Sequence, residues 1–296
     1  MKRLENKKAS LSFEVFPPSS KATMAGLYTS LSQMEDLRPD FISVTCSNKQ
    51  LSLKESTVKI ATHIQKKHQV PSIVHLSAAY SSKAEVNQIL GDLHQKGIQS
   101  ILALRGDLYP EIPRSTDFRY AGDLIAYIKE WDQSFSISAA CYPERHPESS
   151  NTLEDIQHLR EKVNAGADQL ITQLFFDNEL FYQFQEKCWL AGIEVPILAG
   201  IMPVVNKRQA ERIVRTASVQ LPQKFLAILE KYADNPVALR DAGLAYAIDQ
   251  IVDLVTQGVS GIHLYTMNQA GIARSIYTAT HSLFESTTNQ EKVSIL

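Results

Sequence analysis

Eight short apolar runs, each followed by a longer stretch with helical periodicity, constrain the fold of this chain more than any single residue does. The runs are 11–16 (LSFEVF), 41–46 (FISVTC), 72–77 (SIVHLS), 99–104 (QSILAL), 136–141 (SISAAC), 168–174 (DQLITQL), 195–200 (VPILAG) and 260–265 (SGIHLY). Each is brief and bounded by polar residues, Gly or Pro, the pattern of buried strands. Helical patterns fall near 21–36, 53–68, 83–96, 119–131, 152–165, 178–191 and 206–217. The region 222–256 reads as extra helices, and a last helix runs near 269–285. The runs do not alternate strictly, as expected when both faces of a parallel sheet are covered. Eight such units in 296 residues match an α/β fold, a (β/α)8 TIM barrel with extra helices before the last strand. An open doubly wound sheet is the alternative. The twelve glycines include no G-x-G, so the dinucleotide fingerprint is missing. One domain over 1–296 is the simplest reading, with about 1–10 and 286–296 as flexible ends.

Composition narrows the function classes. Thirty Lys+Arg against 32 Asp+Glu leave a net charge of −2, which argues against a nucleic-acid partner held by a broad basic surface. Cys46, Cys141 and Cys188 are far apart and form no C-x-x-C, which suits a reducing cytoplasm and no zinc ribbon. The N-terminus MKRLENKKAS has no apolar core of a secretory signal. Residues 254–273 lack charge but contain Gly, Ser, Thr, Gln and Asn, and read as loop and strand, not a membrane span. His63, His68, His94 and His281 read as surface residues, and no metal constellation stands out.

In a barrel of this kind the chemistry sits at the C-terminal ends of the strands. Glu14 lies inside the first apolar run. Burial of a carboxyl favours its neutral form, the state a general acid needs. A buried ion pair with Arg105 accounts for Glu14 equally well. The other strand ends offer Thr45, His75, Arg105-Gly106-Asp107, Tyr142 to His146, Thr172-Gln173, and Tyr265-Thr266 with Asn268. Taken singly, Asp107 reads as a turn or helix-capping residue, His75 as a hydrogen-bonded core histidine, His146 as a loop residue and Gln173 as a partner for buried backbone. Their shared position at one rim favours a site. Thr152 and Asp155 resemble a capping box, and Asp155, His158 and Lys162 then share one helix face. That face suits either a phosphate-bearing ligand or solvent.

Eight motifs in order carry a family resemblance: S-F-E-V-F-P-P (12–18), S-V-T (43–45), A-L-R-G-D (103–107), Y-P-E-x-H-P-E (142–148), A-G-A (165–167), I-T-Q-x-F-F-D (171–177), G-I-M-P-V (200–204) and Y-T-M-N (265–268). From about residue 11 to 285 the chain resembles methylenetetrahydrofolate reductase of the bacterial type. The resemblance implies a TIM barrel with FAD, and ping-pong use of one site by NADH or NADPH and then by 5,10-methylenetetrahydrofolate. It implies that Glu14 is the acid that opens the folate's five-membered ring to a 5-iminium cation. Asp107 would stand between flavin and pterin. Gln173, Gln209 and Gln269 match folate-side positions, alongside Glu14 and Asp107. Thr45, His75, Arg105, Gly106, Asp107, Ala121, Tyr142, His146, Asp155, His158 and Lys162 match FAD-contacting positions. The chain departs from the pattern at Cys46-Ser47-Asn48, at Glu161 where a cation is usual, at His158 for a common Asn, at Ile213 for a stacking aromatic, and at Gln269 for an Arg near the folate tail. The family often forms homo-oligomers. A non-catalytic partner subunit and a proline dehydrogenase-like flavin barrel are the competing readings.

Overall fold

The structure is a computed structural model, and it describes residues 8–18, 21–46, 51–109, 111–217 and 219–285. Among them, eight parallel strands close into a barrel in chain order: β1 (Ser10–Val15), β2 (Phe41–Val44), β3 (Ser72–Ser77), β4 (Ser100–Leu104), β5 (Ser136–Cys141), β6 (Gln169–Thr172), β7 (Ile197–Ile201) and β8 (Gly261–Tyr265). β8 pairs back onto β1, with Ser12 opposite His263 and Glu14 opposite Tyr265. Helices α1 (Lys21–Gln33) to α7 (Lys207–Ala217) follow the first seven strands: α2 (Leu51–Lys67), α3 (Lys83–Lys96), α4 (Ala121–Trp131), α5 (Thr152–Asn164) and α6 (Asn178–Leu190) lie between. The expected extra helices are α8 (Gln223–Lys231) and α9 (Pro236–Thr256), and α10 (Ala270–Thr280) follows β8. The open-sheet alternative is thereby excluded.

Strand parity explains the interior. Leu11, Phe13 and Val15 belong to the large apolar layer between barrel and helices, as do Ile42, Val44, Val74, Leu76, Ile262 and Leu264. Side chains alternate between faces along a strand. Ser12, Glu14, Ser43, His75 and His263 therefore point into the barrel. Also inside, Ile73, Leu102, Ile171 and Leu198 form a separate small cluster flanked by Phe41 and Leu104. Leu102 is the register partner of His75 and Leu104 that of Ser77, so apolar and polar side chains share the interior.

Two local expectations need correction. Asn151, not Thr152, caps α5: its side chain accepts from the Glu154 backbone N–H at 2.9 Å, and Thr152 is already helical. His68 is not a surface residue. It is buried, with Nδ1 3.2 Å from Glu35 Oε2 and its ring edge-on to His63.

Across the mouth, Tyr265 leans over β7, and its hydroxyl donates to the Thr172 carbonyl at 2.7 Å. Gly200 makes the room, since a Cβ there would stand 2.8 Å from the tyrosine ring and 2.4 Å from that carbonyl. Overpacking of this kind costs about 1–3 kcal/mol. Gly200→Ala should lower the unfolding free energy by that amount in urea titrations.

Candidate active site

Glu14 is the centre of the polar interior. Its Oε2 lies 3.5 Å from His75 Nε2 and 3.6 Å from His263 Nε2, and its side chain keeps 19% of its surface exposed. His263 is fully buried, with Nδ1 2.8 Å from the Ser12 hydroxyl and Nε2 3.2 Å from the Ser43 hydroxyl. His75 differs from the expected hydrogen-bonded core histidine. Its buried Nε2 has no hydrogen-bond partner among the described residues. Burial holds its ring neutral, lowering the pKa to about 4, although Glu14 pulls the other way. Arg105 is not the partner of Glu14. It makes a two-pronged pair with Glu148, Nη2 to Oε1 at 2.7 Å, which pushes the guanidinium pKa up further.

Next to His75 a cavity of about 260 Å³ opens, lined by Cys46, His75, Ser77, Leu104, Gly106, Asp107 and Tyr109. Gly106 has φ +85°, a left-handed conformation that favours glycine, and it turns the chain so that Asp107 faces the cavity. Asp107 is exposed and caps no helix, since α4 begins only at Ala121. The β3 and β4 loops are zipped together by Ala78 N–H to Leu104 O and Ala79 N–H to Arg105 O, both 2.9 Å. Thr45 lies just past β2, its N–H bonded to Val15 O at 3.0 Å.

The loop after β5 continues the rim. Tyr142 and His146 meet edge-to-face, ring centroids 4.7 Å apart. Burial pushes the Tyr142 phenol up to about 12 and lowers the pKa of His146. The proposed face of α5 is split. Asp155 turns back to accept from the His146 N–H and the Ser149 hydroxyl, and Lys162 Nζ donates to Ala140 O at 2.9 Å. Burial lowers the Lys162 ammonium pKa. His158 and Glu161 are exposed, and Ala121 is buried at the first turn of α4. A larger depression of about 590 Å³ runs along α8 and includes none of these residues.

Residues 1–281 match the family model described as methylenetetrahydrofolate reductase. The chain belongs to the methylenetetrahydrofolate reductase family. It is 34% identical over 273 residues to the 5,10-methylenetetrahydrofolate reductase of Escherichia coli strain K12, covering 92% of this chain and 90% of that one. It is 35% identical over 276 residues to that of Buchnera aphidicola from Acyrthosiphon pisum, covering 93% of each. A solved structure, an uncharacterized protein from Clostridium thermocellum that binds two copies of 5-methyl-5,6,7,8-tetrahydrofolic acid, superposes with a TM-score of 0.66. It is 11% identical and covers 96% of this chain and 98% of its own, a likeness of fold. Family membership makes the chain an oxidoreductase of folate metabolism.

Gln173, Gln209 and Gln269, matched to folate-side positions, follow β6, β7 and β8. Gln173 Oε1 accepts from the Leu174 N–H at 2.9 Å, the backbone role its residue type allows. Gln209 holds the β7–α7 loop from both ends of its amide, accepting from Val205 N–H and donating to Pro203 O. Gln269 is exposed at the start of α10 and caps nothing with its side chain. Ile213 is buried with Leu174, Phe176 and Phe225, so it offers no open surface for stacking. Ser47 and Asn48 lie outside the described residues.

The sequence reading missed His263, Ser12 and Ser43. A signal existed: GIHLY and SIVHLS both place His between apolar neighbours, so the two imidazoles share the inward parity of Glu14 once a barrel is assumed.

The buried neutral His75 makes stability pH-dependent. Unfolded, it takes a proton below its ordinary 6.5; folded, it stays neutral down to about 4. Acid therefore favours unfolding through that window. From pH 7 to pH 5 this one group should remove about 2 kcal/mol of unfolding free energy. His75→Gln should abolish that part of the slope in urea melts at the two pH values.

Proposed function

We propose that this protein reduces 5,10-methylenetetrahydrofolate to 5-methyltetrahydrofolate at the expense of NADH or NADPH, with FAD as its cofactor, in the cytoplasm, supplying methyl groups for methionine synthesis. The observation that carries the reading is Glu14, held inside the barrel between two imidazoles and beside the Asp107 cavity. FAD fits the residues present. The cavity is lined by the His75 side chain and bare backbone at Gly106, and Arg105 and His146 bring nitrogen groups on neighbouring loops. Thr45, His75, Arg105, Gly106, Tyr142 and His146 would hold it. When bound, FAD stores the two electrons that pass from the nicotinamide to the folate.

Glu14 acts on the folate as a general acid. In its protonated form it gives a proton to the five-membered ring, which opens to a 5-iminium cation. Asp107 accepts hydrogen bonds from the pterin and favours that cation by its charge. His75 and His263 flank Glu14 Oε2, and His263 is itself fixed by Ser12 and Ser43.

Anaerobic spectra test the reading. Flavin bands of the FAD-loaded protein should bleach with NADH and return on addition of methylenetetrahydrofolate. Bands that stay bleached would remove the folate assignment. Glu14→Gln should lower folate reduction by about 10²–10⁴-fold, the range for loss of a general acid, with donor oxidation nearly intact. Equal loss of both half-reactions would remove Glu14 from the acid role.

A further inference from the structure

Arg105 and Glu148 stand 43 residues apart in the chain and meet at the rim. Arg105 directly follows β4, and its carbonyl accepts from the Ala79 N–H at 2.9 Å, so its backbone is fixed. Its side chain crosses to the β5–α5 loop. There Nη1 and Nη2 each donate to one oxygen of the Glu148 carboxylate, Nη2 at 2.7 Å. Glu148 also acts through its main chain: its N–H donates to His146 Nδ1 at 3.1 Å. Nδ1 is therefore the acceptor nitrogen, and the neutral ring carries its proton on Nε2, where it can donate. Burial and the Arg105 charge lower the His146 pKa and keep the ring neutral. The His146 backbone N–H is held in turn by Asp155 Oδ2 at 3.3 Å.

The ion pair is open to solvent, with the Glu148 side chain 57% exposed and that of Arg105 22%. Such a pair adds little to the stability of a fold. Its geometry has another use. Two parallel hydrogen bonds fix the plane of a guanidinium that otherwise samples many rotamers. They use two of its five N–H donors and leave three for an acceptor. We propose that Glu148 is a positioning residue for FAD: its carboxylate presets the Arg105 guanidinium, and its main chain sets His146 as a donor, before the cofactor arrives. Glu148 acts through these two side chains rather than by touching the cofactor. A carboxylate that merely occupied Arg105 would compete with the anionic pyrophosphate, and its removal would tighten binding. One that positions Arg105 does the reverse. This inference rests on the FAD reading above.

The test titrates FAD into flavin-stripped protein and follows the quenching of flavin fluorescence. Glu148→Gln keeps the size of the side chain and loses its charge and one of its two acceptor oxygens. It should raise the Kd for FAD about three- to tenfold, the cost of immobilising one rotamer-rich side chain on binding. The Tm of the flavin-free protein should move by less than about 3 °C, as for loss of an exposed pair. With Arg105→Lys already present, which cannot make the two-pronged contact, Glu148→Gln should change Kd less than about twofold. An unchanged Kd in Glu148→Gln overturns the proposal, and a lower one overturns it in favour of competition. A full effect in the Arg105→Lys background overturns it, as does a rise in Kd that comes with a large fall in Tm. Should Glu148→Gln fail to fold, an unchanged Kd in Glu148→Asp, one methylene too short to reach the guanidinium in the same way, overturns it instead. Unsubstituted protein that takes up no FAD overturns the cofactor reading and this inference with it.

Discussion

A carboxyl group taken out of water costs several kcal/mol unless neighbouring groups satisfy it, and Glu14 sits inside the barrel with partial exposure and two imidazole neighbours. Two imidazoles flank one of its oxygens. One of them, His263, is fully buried, with both ring nitrogens beside serine hydroxyls. The other, His75, is kept neutral by burial and has an uncommitted nitrogen. The three groups come from three different strands. They meet only because a closed barrel turns alternate residues of every strand toward one axis.

The rest of the mouth depends on that placement. Tyr265, the register partner of Glu14 on β8, crosses to β6 over the space left by Gly200. Thr266 hydroxyl donates to Glu14 O, and the Asn268 amide pairs with both backbone groups of Phe16. The β1 end is therefore clamped by the loop after β8. On the other side the β3 and β4 loops are joined by backbone hydrogen bonds and carry the cavity with Asp107. Rigid support of this kind suits a site whose reacting groups must be held in place before substrate arrives.

The strand and helix pattern was legible in the sequence almost element by element. A strand buried on both faces is a short continuous apolar run, and a covering helix has an apolar stripe, so each leaves a local signature. The individual polar residues were less legible. Glu14 stood out because it interrupts an apolar run. His263 did not, because a histidine between apolar residues looks like many core histidines. Arg105 was assigned to Glu14 or to a ligand, while its partner, Glu148, sits on the next loop. Asp155 and Lys162 share a helix face, but each spends its polar atoms on the loop and strand beside it.

By itself the sequence determined eight βα units, the extra helices before the last strand, and a family signature spread over eight motifs. Local periodicity and residue identity suffice for these. Only the tertiary structure decided which polar groups lie together: Glu14 with His75 and His263, Arg105 with Glu148, Tyr109 with Tyr80. The physical reason is that these contacts depend on barrel closure and on the strand register, which place side chains from distant parts of the chain within hydrogen-bond reach.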